Sequence, residues 1–277
     1  MTRIIDLSLP IDEDILEPFP VKVRRIGHDE GAGKIGRAFI YKKSDPWTVK
    51  LRKIALYLTG KRKIDRHSFP GGLFLSHESV TASVHCGTHV DAPFHFGPDC
   101  EGWPAKTVDR LPLEWCYGDG VVLDMVKVLP GYEIVPSDIE DELHRIGYTL
   151  KPGDIVLIKT GADKLYGKRE YLYGFPGMGA EAVRYLLDKG IRTIGIDAVS
   201  LDRPFSAMVE HYYRTKDSKD LWPAHLLGRD REYCHIERLA NLDALPSPFG
   251  FKFMCFPVKI KNVGAAWARA VAITEEY

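Results

Sequence analysis

The sequence predicts an α/β fold built on a mixed sheet. Three observations carry this. Short β-branched and aliphatic runs fit strands, segments with apolar residues three and four apart fit helices, and the two alternate through the second half of the chain with glycine at their ends. At 277 residues the chain is long for an average domain but suits one large α/β or barrel-like domain. A hydrophobic content of 45 % is enough for a sizeable core. No repeat, low-complexity tract or Gly/Ser/Pro-rich linker divides it, so a single domain over 1–277 is expected.

Ile4 to Ile11 alternates like a strand ended by Pro10. Residues 12–75 are the least regular part and read as an insertion or lid. Within them Trp47, Leu51, Ile54, Ala55 and Leu58 recur at helical spacing, after Ser44-Asp45-Pro46 as entry and before Gly60 as exit. The flanks carry Lys50, Arg52, Lys53, Lys61, Arg62 and Lys63. Such a helix fits a solvated face beside an ordinary core stripe better than a membrane or partner surface. As a lid it would give a neighbouring site a positive rim and favour carboxylate-bearing substrates.

Further on, Val121-Val122-Leu123 marks a strand within Gly118–Val128. Ser137-Asp138-Ile139-Glu140 reads as a capping box that starts a helix, with Ile139, Leu143 and Ile146 on one face and Gly147 as its stop. A strand follows at Asp154–Lys159, a helix over about 178–189 closed by Gly190, and a strand at Ile191–Asp197. Two closing strands, near 251–260 and 265–274, would pair as neighbours and add antiparallel edges. Gly161 to Arg169 imitates a phosphate loop, but Arg169 stands where a magnesium-holding hydroxyl is required. No Gly-x-Ser-x-Gly elbow occurs, which counts against a serine hydrolase of that fold.

The chemistry concentrates in His85-Cys86-Gly87-Thr88-His89-Val90-Asp91-Ala92-Pro93-Phe94-His95-Phe96. His85, His89, Asp91 and His95 are all odd-numbered, so a locally extended chain turns them to one side. A regular strand would still part the 85 and 89 backbones by roughly 13 Å, too far for an easy shared ion, so the chain must bend, and Gly87 sits where it can. Pro93, Thr88 and Val90 argue against a long helix, and Cys86 follows His85 where a zinc protease has its glutamate. Hydrogen-bonded core polars are the plain alternative, but three imidazoles beside a carboxylate fit a metal site with one histidine left for proton transfer.

This run resembles the signature of the cyclase family of metal-dependent hydrolases, His-x-Gly-Thr-His-x-Asp-x-Pro-x-His-Phe, at every fixed position. That family includes kynurenine formamidases, isatin hydrolases and trans-dienelactone hydrolases. Phe256-Pro257-Val258-Lys259-Ile260 and Arg269-Ala270-Val271-Ala272 are also family-like, so the resemblance spans 1–11 and most of 76–277. It implies a swivelling β/β/α-type fold with a barrel-like β core and a homo-oligomer, dimer or tetramer, with the site near a subunit contact. It also implies that His225 and Glu237, twelve residues apart and followed by Asn241-Leu242, join His85, His89 and Asp91 as metal ligands. His235 departs from the pattern, as an extra ligand, a supporting residue or neither. Asp197 and Asp202 resemble a segment beside the site, although carboxylates at strand ends also cap loops.

The implied cofactor is one or two divalent ions, with Asp91 placed to bridge them and zinc or manganese suited to imidazole and carboxylate donors without thiolate. His95 is the expected proton shuttle. The expected reaction is hydrolysis of a small amide, lactam or lactone, with an arylformamide, isatin-like or dienelactone-like compound as substrate. Tyr166, Tyr171, Tyr173 and Phe175 would line a pocket for a planar substrate, or simply pack their loop. A non-hydrolytic metal-dependent cyclase, dehydratase or isomerase, and a metal-stabilised binding or scaffold protein, are the competing classes.

Lys and Arg, 38 together, equal Asp and Glu at 38, which points away from nucleic acid and anionic membranes and toward a small-molecule partner. Five cysteines without paired spacing, and an N-terminus lacking the apolar core of a signal peptide, lead us to expect a cytoplasmic protein.

Overall fold

The computed structural model describes residues 1–15, 17–38 and 40–275. They form two compact units, Met1–Pro20 with Ser83–Tyr277, and Val21–Ala82.

The larger unit carries a nine-stranded sheet of β1 (Thr2–Asp6), β2 (His89–Asp91), β3 (Tyr117–Asp124), β4 (Ile155–Lys159), β5 (Thr193–Ile196), β6 (Cys234–Glu237), β7 (Phe251–Met254), β8 (Ala265–Trp267) and β9 (Val271–Glu275). Their spatial order is β1-β9-β7-β3-β4-β5-β6-β2-β8. The middle strands β3, β4, β5 and β6 run parallel, and both flanks are antiparallel. The parallel strands read as continuous apolar runs because both faces are covered. Val121, Leu123, Val156, Ile158, Ile194 and Ile196 meet the helices Pro136–Ile146 and Ala180–Asp188. On the opposite face Val122, Ile155, Leu157, Ile236, Phe253 and Ala272 fill a second core.

The connectivity forces this sheet to curl. β8 lies at one edge and β9 next to the other, seven strand spacings away in the order, yet only residues 268–270 join them. A flat sheet would separate these strands by roughly 34 Å, and the link spans at most about 14 Å. The result is a curled half-barrel mixed sheet, the mixed α/β architecture expected from the sequence.

Local differences from expectation have clear causes. The stretch near 265–274 is two strands, and only β9 pairs with β7, while β8 crosses to the far edge and pairs with β2. The first strand stops at Asp6, whose carboxylate accepts from the Ser8 N–H, and Ser8 then bridges Leu239. The first core helix begins at Pro136, and Asp138, not Ser137, closes its start by accepting from the Val135 N–H at 2.8 Å. Its end is as expected, with Gly147 left-handed at φ 67°. All five cysteines are free and buried.

The smaller unit pairs strands Lys22–Ile26 and His77–Thr81 antiparallel and contains helices His28–Ala38 and Trp47–Leu58. The second helix falls where its spacing predicted, but its stripe is not a core stripe: none of its residues is buried, and Trp47 is 71 % exposed.

Candidate metal centre

The His85–His95 segment bends at Gly87, which takes φ 59°. A side chain there would sit 3.0 Å from Ile11 and 3.1 Å from the Pro10 carbonyl. The bend brings His85 Nδ1 to 3.3 Å from His89 Nε2, although the backbone between them spans four residues. His89 and Asp91 then enter β2, where alternation turns both to one face and Val90 to the inner core. Pro93 opens a helical turn, Pro93–Phe96, that carries His95 back over His85, with ring centroids 4.4 Å apart.

The rest of the cluster arrives through sheet register. β6 runs antiparallel to β2 with His235 opposite Asp91 and Glu237 opposite His89, so both share the face of their partners. His225 comes from the short helix Pro223–Leu227, whose start is held by Asp202: its carboxylate accepts from the N–H groups of Ala224 at 2.7 Å and His225 at 3.1 Å, and also holds His225 Nδ1. Nε2 is thereby aimed inward, 3.5 Å from Glu237 Oε1. His89 is oriented the same way, its Nδ1 bonded to the Gly87 carbonyl at 3.0 Å. Outer bonds of this kind fix the tautomer of a metal-binding imidazole.

Nitrogens and oxygens face one another across the centre at ligand-like spacing. His85 Nδ1 lies 3.0 Å from Asp91 Oδ1, and His89 Nε2 lies 3.5 Å from Asp91 Oδ2 and 3.6 Å from Glu237 Oε2. His235 Nε2 lies 2.9 Å from Asp91 Oδ2 and 3.3 Å from Glu237 Oε1. Donors about 2.0–2.1 Å from one ion stand roughly 2.9–3.4 Å from each other, and the spacings here begin in that range and end just beyond it, at 3.6 Å. Asp91 Oδ1 is buried and in no aligned hydrogen bond, despite its short distance to His85. An orphaned carboxylate oxygen amid ring nitrogens fits a cation site better than a hydrogen-bond network.

Electrostatics agree. Burial works to raise Asp91, but His89, His235 and His85 hold it well below the usual carboxylate range. Burial also opposes ionisation of Glu237, yet His235 and His225 bring it down to about 2. The carboxylates in turn push His235 up to about 9 against its burial, and raise His85. Two buried carboxylates need positive charge beside them, and a divalent cation supplies it. His95 goes the other way: lost solvation takes it down to about 4, with Asp91 opposing, although its ring edge opens to the cavity.

A cavity of about 800 Å³ opens over the centre, lined by His85, His95, His225 and Glu237. Tyr173 and Phe175 are among its lining residues. Tyr171 instead belongs to the core, and Tyr166 packs beside it with its hydroxyl donating to the Pro10 carbonyl at 3.0 Å. Asp197 is a loop cap: its oxygens accept from the N–H groups of Thr160 and Gly161, both at 2.8 Å, and from the Thr160 hydroxyl at 2.6 Å. Burial pushes it up to about 7, against those three bonds. Sequence reasoning missed Arg169, Arg203 and Arg238 and the stacked pair Phe205–Trp222, all on the cavity wall. Only the adjacency of Arg238 to Glu237 and of Trp222 to the His225 helix hinted at them.

A curled mixed sheet bearing a buried His/Asp/Glu cluster under an open cavity defines a class, that of α/β proteins with the features of a metal-dependent hydrolase. The chain belongs to the cyclase family: residues 5–203 match the family model described as "Putative cyclase". It is 32 % identical over 193 residues to a kynurenine formamidase of Bacillus cereus, covering 69 % of this chain and 77 % of that one. The match to the Bacillus mycoides kynurenine formamidase, 31 % over 124 residues, takes in 44 % of this chain and only 51 % of that relative. Among solved structures, isatin hydrolase A from Labrenzia aggregata bound to benzyl benzoate is 26 % identical with a TM-score of 0.68, over 99 % of this chain and 94 % of that one. An isatin hydrolase bound to the product analogue thioisatinate shares the fold at a TM-score of 0.70 and 22 % identity, over 99 % and 93 %.

Proposed function

We propose that this protein is a metal-dependent hydrolase that opens a small amide, lactam or lactone, of the arylformamide, isatin or dienelactone type. One observation carries the reading: His85 Nδ1 lies 3.3 Å from His89 Nε2 and 3.0 Å from Asp91 Oδ1, a buried oxygen that no hydrogen bond satisfies. Its relatives named as kynurenine formamidase and isatin hydrolase support the substrate type. The residues that would hold the cation are His85, His89, Asp91, His225 and Glu237. Imidazole and carboxylate donors without thiolate suit zinc or manganese, as one or two ions per subunit.

When bound, a divalent cation acts as a Lewis acid, lowering the pKa of water from 15.7 towards ~7 and polarising a carbonyl. The chain's own residues do the rest. His95, neutral at pH 7 and open to the cavity, accepts the proton released by attacking water and returns it to the departing nitrogen or oxygen. Tyr173, Phe205 and Trp222 offer faces for a planar substrate, and Arg169 on the same wall favours one that bears a carboxylate. A cytoplasmic homodimer or homotetramer belongs to the same reading, and light scattering of the purified protein tests the assembly.

The deciding experiment is elemental analysis of as-isolated protein, then chelation and metal add-back against formamides, isatin and dienelactones in oxygen-labelled water. Metal-dependent turnover with label in the product is expected. Turnover without label would move the protein to the non-hydrolytic class, and inertness across the panel to the scaffold class.

A further inference from the structure

We propose that His235 is itself a metal ligand, so that His225 and His235 form a second imidazole pair facing His85 and His89 across the shared carboxylates Asp91 and Glu237. This rests on the metal centre proposed above and adds to it a donor at the position where the chain departs from the family pattern.

Four observations carry it. Sheet register sets His235 directly opposite Asp91, on the face that bears the cluster. The ring is fully buried, so its nitrogen is committed to the centre and not to solvent. Nε2 stands 2.9 Å from Asp91 Oδ2 and 3.3 Å from Glu237 Oε1, which come from different strands. One N–H bonds well to one acceptor, whereas a lone pair between two carboxylate oxygens and a second imidazole is the arrangement of a ligand set. Finally, the donor atoms of Asp91, His225, His235 and Glu237 all lie within 4.8 Å of one another.

The ring is also locked in place. Phe96 lies 5.0 Å away by centroids, Tyr233 5.9 Å, and His225 4.5 Å in an edge-on arrangement. His89 and His225 are aimed by hydrogen bonds to their outer nitrogens, and His235 by packing. The carboxylates can therefore serve both imidazole pairs: Asp91 reaches His85, His89 and His235, and Glu237 reaches His89, His225 and His235. Two imidazole pairs and two carboxylates would supply enough donors for two cations.

The test needs no activity. Wild-type protein carrying nitrogen-labelled histidine is loaded with isotope-labelled cadmium, and cadmium–nitrogen coupling is read by NMR. Coupling to the side chains of His85, His89, His225 and His235 is expected. Coupling to the first three alone would overturn the assignment of His235, and no bound ion at all would overturn the metal centre itself. In parallel, zinc content is measured for wild type and His235→Gln, with folding checked by circular dichroism. Gln keeps an N–H that can donate to Asp91, so a supporting role survives the change and a ligand role does not. Occupancy is expected to fall from about two ions per chain to about one, with more than about 100-fold weaker binding of the lost ion. Unchanged occupancy and affinity in a folded His235→Gln would make His235 a supporting residue only.

Discussion

The two halves of the centre are built by different means. His85, His89, Asp91 and His95 lie within eleven residues, and a single bend at Gly87 with a proline-started turn gathers them. His225, His235 and Glu237 owe their place to the pairing of β6 with β2 and to Asp202, which lies far from β6 in sequence. Local geometry can be read from spacing, because one residue's conformation decides it. Register cannot, because shifting β6 by one residue would send His235 and Glu237 to the opposite face and bring Ile236 in.

If Asp91 joins the halves, its loss is the largest effect available. Asp91→Asn removes a carboxylate that faces His85, His89 and His235. Metal content should collapse on both sides, and with it several kcal/mol of transition-state stabilisation, a fall in kcat/KM of at least about 10³-fold. Elemental analysis beside steady-state kinetics checks this. Retention of half the metal would show that the halves bind independently.

His95 sharpens the comparison from the other side, because its donor atom lies within 4.8 Å of those of His85 and Asp91, yet its proposed role is proton transfer and not holding the ion. His95→Gln should lower kcat by about 10²–10⁴-fold with metal content unchanged. The wild type should also lose activity as pH falls through about 4, where His95 takes up a proton and ceases to be a base. In the variant only the acid limb set by protonation of the metal-binding imidazoles should remain. A metal-replete His95→Gln with full activity would remove the proton-shuttle role.

What could be read in advance follows the same division. Helix stops at Gly147 and Gly190, the apolar runs of β3, β4 and β5, and the bend at Gly87 each depend on a few adjacent residues. The split of 265–274 into strands at opposite ends of the order depends on how the sheet closes, which no short window records. His225 and Glu237 were visible only through the family resemblance. Asp202 looked like one more carboxylate near a strand end, because its hydrogen bonds to residues 224 and 225 span more than twenty positions. Asp197, four residues after β5 begins, has its oxygens on the 160–161 loop. Side chains of one type so close in sequence were separated only by which backbone lay within reach.

Asp202→Asn tests the second half through its support. An amide leaves the backbone fold intact but cannot hold His225 Nδ1 and the two N–H groups with both oxygens. Metal affinity should fall by about 10–100-fold, the usual cost of losing an orienting partner. Isothermal titration of metal-free protein would read it. An unchanged affinity would mean that His225 needs no orientation, or is no ligand.

Gly87→Ala should produce the smallest effect, and the most local. At φ 59° an L side chain costs about 1–2 kcal/mol, and its Cβ would meet Ile11 at 3.0 Å and the Pro10 carbonyl at 3.1 Å. For a chain of this size that lowers Tm by several degrees, at about 2–4 °C per kcal/mol. The strain falls between His85 and His89, so cadmium coupling to these two should weaken while that to His225 keeps its wild-type value. Equal weakening at His225 would show that the bend also positions β2 against β6, because β2 begins only two residues after Gly87. In that case the local turn and the sheet register would be one device, and the division between the halves would not hold.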